Sequence, residues 1–133
     1  MRNTFRKSER LCSQTLIDWL FDGQASACSA YPFRIVWKTR EATGTEPAAL
    51  PQLLISVPKK KFHHAVDRVH VKRLVREAYR THKQPLAEAA ASSRCELFVA
   101  IIWVGRELVP YTEVERRVQE ALERIAKSLI HHE

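Results

Sequence analysis

Glycine is scarce in this 133-residue chain, with three residues at Gly23, Gly44 and Gly105. None adjoins another, so there is no glycine-rich loop of the kind that cradles a nucleotide phosphate. Cysteine is equally sparse: Cys12, Cys28 and Cys95 are far apart, form no C-x-x-C pair and have no zinc-ligand spacing with any of the six histidines. Reduced thiols in a reducing compartment are expected. Long apolar runs are missing too. The longest, Leu97 to Val104, has eight residues and is too short to span a bilayer. The basic start, MRNTFRKSER, leads into a polar, interrupted stretch and not an apolar signal region. This predicts a cytoplasmic protein with no membrane partner.

Catalytic groupings are missing as well. The acidic residues are scattered opposite basic ones, with no carboxylate cluster to hold metal ions. His63 and His64 are adjacent and point apart in an extended chain, and no Ser/His/Asp order argues for a nucleophile. The chain offers a binding surface and no active site. Its length, with 45% hydrophobic and 28% charged residues, predicts one globular domain over residues 1–133 with a single core.

One absence is local. Between Lys59 and Lys83, KKKFHHAVDRVHVKRLVREAYRTHK, acidic residues nearly vanish: nine of the 22 Lys and Arg residues lie there, against Asp67 and Glu77. That excess equals the net charge of the whole chain, +7. The other residues are neutral in sum, so the protein presents one concentrated positive segment, for which a polyanion is the commonest partner. Read as a helix from Arg68 to Arg80, the segment places Arg68, Lys72, Arg76, Arg80 and Arg73 within an arc of about 140°, and Val71, Leu74, Val75 and Ala78 on a separate arc of about 100°. One face can bury while the other sets cations one helical turn apart, close to the spacing of successive phosphates. A merely solvated helix would balance Lys with Glu, and Glu77 is nearly alone. His70, in the same helix, could be protonated beside a phosphate.

In chain order, residues Met1 to Leu11 read as a charged arm. Ser13 can cap a helix that carries Leu16, Ile17, Leu20 and Phe21 and ends near Gly23. Ala25 to Ser29 is a weak strand signal, and Phe33 to Thr39 a clearer one. Trp37 within it is a core residue or a stacking surface, with core favoured on composition. Arg40 to Gln52 reads as a long hairpin connection, Leu53 to Val57 as a strand halted by Pro58, and Asp67 as the N-cap of the basic helix, which is over by Pro85. Leu86 to Ser93 lacks an apolar stripe and reads as an irregular connection with at most a helical turn. Glu96 to Val104 is a strand buried on both faces. Thr112 and Glu115 form a capping box for a final helix with Val114, Val118, Ala121, Leu122, Ile125 and Leu129 on one side. The expected fold is α+β, in the order α-β-β-β-α-β-α.

The run from Leu54, LISVPKK, followed by A-V-x-R-x-x-V-K-R-L-V-R-E, resembles the bacterial ribonuclease P protein component, and the likeness extends along most of the chain. Members of that family usually read Arg-Asn-Arg where this chain has Arg68, Val69 and His70. The resemblance implies a sandwich similar to the second domain of a small-subunit ribosomal protein, with a left-handed β-α-β crossover against the general rule. It implies removal of the 5′ leader from precursor transfer RNA, with the chemistry performed by the RNA subunit and its Mg²⁺ ions, and no cofactor on the protein. Lys59, Lys60, Arg68, His70, Lys72, Arg73, Arg76 and Arg80 would dock on ribonuclease P RNA. A cleft lined by Ile17, Phe21, Trp37 and Ser56 would hold the single-stranded leader by stacking and backbone hydrogen bonds. The protein would be a monomer in a 1:1 ribonucleoprotein. Two other readings use the same surface: a ribosomal or structural RNA-binding protein of this fold, and a DNA-binding protein with a recognition helix. The last is poorer, because the basic face lacks the Asn, Gln and Ser that read base edges.

Overall fold

The computed structural model describes residues 9–41 and 50–130. Its elements are α1 (Gln14–Leu20), β1 (Ser26–Ala30), β2 (Phe33–Glu41), β3 (Gln52–Ser56), α2 (Ala65–His82), α3 (Gln84–Ser92), β4 (Cys95–Trp103) and α4 (Tyr111–Ile130). The four strands form one mixed sheet in the order β1-β2-β4-β3, with β2 antiparallel and β3 parallel to β4. The most apolar strand therefore lies inside the sheet, with Leu97 to Ile101 all buried.

Strand alternation sorts the core into two layers. Phe33, Ile35 and Trp37 of β2 and Leu97, Val99, Ile101 and Trp103 of β4 pack with the apolar faces of α2, α3 and α4. On the other face, Val36, Phe98 and Ala100 pack with Leu20 of α1 and with Leu11. Ser13 caps α1, its hydroxyl accepting from the Leu16 amide at 3.4 Å. Gly23 follows at φ +95°, a conformation open to glycine. Gly105 is held to glycine by space, since a Cβ there would lie 2.8 Å from the Cβ of Pro32.

Four expectations are corrected. Leu86 to Ser93 is not irregular: it belongs to α3, which buries Leu86, Ala87, Ala89 and Ala90. Alanine has the highest helix propensity, and its small side chain lets α3 press closely on α4, so no large apolar stripe is needed. The order becomes α-β-β-β-α-α-β-α. Arg40 to Gln52 is not a hairpin connection, because β4 lies between β2 and β3; residues 42–49 themselves lie outside the described part. Asp67 is not the N-cap of α2: His64 holds that position without a side-chain cap bond, and Asp67 stands in the first turn, where its carboxylate favours the helix dipole. The proposed capping box is not formed, as Thr112 is already inside α4 and the amides of Glu113 and Val114 bond to the Pro110 carbonyl. The end of the charged arm is fixed. Glu9 is buried in an ion pair with Lys83 (2.5 Å), and Leu11 donates to the Leu53 carbonyl at 2.9 Å.

Candidate nucleic-acid interface

The basic helix keeps the two-sided character expected of it. Val71, Val75, Ala78 and Tyr79 are buried against the sheet and α4, which turns the cationic arc outward. Its members differ in what holds them. Lys72 and Arg76 are half-buried and, with Arg10, line a cavity of about 160 Å³ whose floor is Leu53, Leu54 and Ile55 of β3. Arg73 is exposed. Arg80 is paired with Glu77 at 2.5 Å, which raises the guanidinium's pKa and lowers that of the carboxyl. Arg68 is turned back, donating from Nη1 to the carbonyls of Phe62 (2.8 Å) and His63 (3.1 Å). It fixes the loop that carries Lys59 and Lys60, both exposed. His70 is exposed but lies roughly 60° beyond Arg73 on the helix, outside the cationic arc.

The second surface is the α1 face of the sheet. A seven-residue helix is only about 10 Å long and covers part of a four-stranded face, whose strands lie about 5 Å apart. Ile17 packs partly buried on this layer, while Leu54 and Ile102 remain half-open beside it. Ser56, paired in register with Ile102, shares the face. Phe21 is 44% exposed at the end of α1 and borders a cavity of about 130 Å³ with Arg34 and Val36.

Trp37 does not belong to the cleft. It has the parity of Phe33 and Ile35, so its ring points into the thick core on the opposite side of the sheet. One residue further on, Lys38 takes the cleft side, lies 4.5 Å from the Trp19 ring centroid and bonds the Trp19 carbonyl and Asp22. The aromatic residue missed by sequence reasoning is Trp19, which meets Phe98 edge-on at 5.5 Å. Arg34, also missed, was legible from alternation once Phe33 and Ile35 were set inward.

Joined at the β3 edge, the cationic arc and the half-open apolar face define a class: an α+β protein with a basic helix set beside a partly uncovered sheet face. The ribonuclease P family model matches residues 5–126, and the ribonuclease P protein components of Porphyromonas gingivalis and Chlorobium phaeobacteroides are 41% and 36% identical over 121 residues. The chain belongs to the bacterial ribonuclease P protein component family. Those alignments cover 90% of this chain and 85% of the Porphyromonas protein, and 86% and 82% for Chlorobium. The fold is that of the ribonuclease P proteins of Staphylococcus aureus (TM-score 0.66, 19% identity, covering 91% of this chain and 97% of that one) and Thermotoga maritima (0.65, 22%, 88% and 97%). The chain is therefore the protein subunit of ribonuclease P, an enzyme of transfer RNA processing, and associates with ribonuclease P RNA.

Proposed function

We propose that the two surfaces divide the work of the holoenzyme. Lys59, Lys60, Arg73 and the outer flank of α2 dock on the RNA subunit through phosphates, and the α1 face holds the single-stranded 5′ leader of precursor transfer RNA. Lys72 and Arg76 stand where the two meet. The observation that carries this reading is the cavity at β3, where Arg10, Lys72 and Arg76 surround an apolar floor. Cations at the rim and apolar side chains beneath suit a strand whose phosphates and bases point opposite ways. Ile17, Phe21 and Ser56 extend that floor, and Trp37 supports it from behind.

The hydrolysis is assigned to the RNA subunit and its Mg²⁺ ions. Among the described residues, no three His, Cys, Asp or Glu side chains come together to hold a metal ion. The protein's contribution is charge: its basic face screens repulsion between two RNAs and lowers the Mg²⁺ needed for tight substrate binding. The left-handed crossover is part of the same proposal and rests on the family resemblance; the parallel pairing of β3 and β4 through α2 and α3 supplies the crossover but not its hand. The 1:1 stoichiometry and the cytoplasmic location belong to the proposal too. Among the described residues no helix is long and apolar enough to cross a membrane.

The test is cleavage of a 5′-extended precursor by the same organism's RNA subunit at low-millimolar Mg²⁺, with and without the protein. Rescue by the protein, with no cleavage by the protein alone, is expected. Tight RNA binding without rescue would overturn the division of labour.

A further inference from the structure

At one end of the sheet three loops converge on Trp103. The β1–β2 turn, Tyr31 and Pro32, is held there because the Val104 amide donates to the Pro32 carbonyl at 2.8 Å. Phe33 and Phe62 both meet the Trp103 ring, with centroids at 5.3 and 5.7 Å, which brings in the loop after β3. The third loop follows β4, and the Trp103 Nε1 anchors it by donating to the Gly105 carbonyl at 2.8 Å. These loops carry Lys59, Lys60, Lys61 and Arg106 against Glu107 as their one acidic residue.

At the same end of the sheet Tyr31 is 65% exposed, its ring outside the core that the neighbouring Phe33 enters. Val104, beside it, is 36% exposed. In the order β2-β4-β3, the turn and the lysine loop are two strand spacings apart, on the order of 10 Å. That distance is compatible with one or two nucleotides of single strand. An aromatic ring standing in solvent, with the cationic loops after β4 and β3 following it in turn across the sheet end, is the pairing of groups that holds an unpaired base and its phosphates.

We infer that this end of the sheet is a further RNA contact, where the Tyr31 ring stacks on an unpaired base of ribonuclease P RNA while Arg106 and Lys59 hold the flanking phosphates. The inference rests on the subunit reading above and adds Tyr31 and Arg106 to its docking surface. It differs from the leader cleft in place, since the α1 face and the loop end are reached from different directions.

The experiment measures binding of the full chain to the RNA subunit alone, and of the holoenzyme to precursors with and without a leader, for Tyr31→Ala, Tyr31→Phe and Arg106→Ala. Tyr31→Ala is expected to weaken binding to the RNA subunit about tenfold with no change in salt slope, and Tyr31→Phe to retain the ring and the affinity. Arg106→Ala is expected to flatten the slope by roughly 0.7 to 0.9. Thermal midpoints should stay at the parent value, as the ring is outside the core. Equal affinity of parent and Tyr31→Ala overturns the inference, as does a loss confined to leader-bearing precursor, which would place Tyr31 in the cleft. Failure of the parent itself to bind the RNA subunit overturns the subunit reading first, and the two failures are thereby distinguished.

Discussion

Lys38 shows how much one residue of strand parity decides. Its neighbour Trp37 is the more conspicuous side chain in the sequence, yet the ammonium is the one that reaches the cleft wall, bonding Asp22 at 2.7 Å and the Trp19 carbonyl at 2.8 Å. The bond from Lys38 and the amide of Gln24 hold the Asp22 carboxyl below its usual range. A depressed folded pKa stabilises fully above the ordinary carboxylate value of about 4 and ceases to do so as pH falls through the folded value. Asp22→Asn should therefore melt below the parent at pH 7, with the gap closing between about pH 4 and the acid limit. A gap that stays constant in acid would show that the pair does not hold α1 to the sheet. The pairing was not legible beforehand, because the partners are 16 residues apart, with all of β1 between them, and meet only once β2 has folded back against the end of α1.

On the scale of elements, α2 and α3 contrast in how plainly they are written. The two faces of α2 follow from a large, periodic contrast between Val or Leu and Arg or Lys, which secondary structure alone displays. α3 is written in alanine, whose burial depends on a neighbour, α4, that lies more than 20 residues further along. Within α2, the sequence shows five equivalent cations, and packing makes them unequal. Lys72→Ala and Arg76→Ala should each flatten the salt dependence of RNA binding by roughly 0.7 to 0.9, one phosphate contact apiece. Arg80→Ala should change it less, since Glu77 already neutralises that guanidinium. Equal slopes for all three variants would mean that the cavity at β3 has no part in binding.

For the molecule as a whole, the ion pair of Glu9 and Lys83 joins residues 74 apart, tying the N-terminal segment to the corner between α2 and α3. Both side chains are almost wholly buried, at 2% and 3% exposure. Glu9→Ala removes the counter-ion of a buried ammonium and should cost about 3 to 5 kcal/mol in urea unfolding. The pair Glu9→Leu with Lys83→Met should recover most of that loss, because apolar side chains of similar size need no charge compensation there. An unchanged urea midpoint for Glu9→Ala would show that the segment is not stitched to the fold at this point.

By itself the sequence determined the α+β class, the basic helix and the family, since composition, period and contiguous motifs survive without knowledge of what packs where. The tertiary structure decided that Trp37 faces inward and Lys38 outward, that α3 is a helix, that β4 separates β2 from β3, and that Tyr31 stands in solvent at the sheet end that also carries the loops after β3 and β4. Each of these depends on contacts between residues distant in the chain. A sheet sets neighbours by hydrogen-bond register, and register is invisible to any window short enough to be read along the sequence.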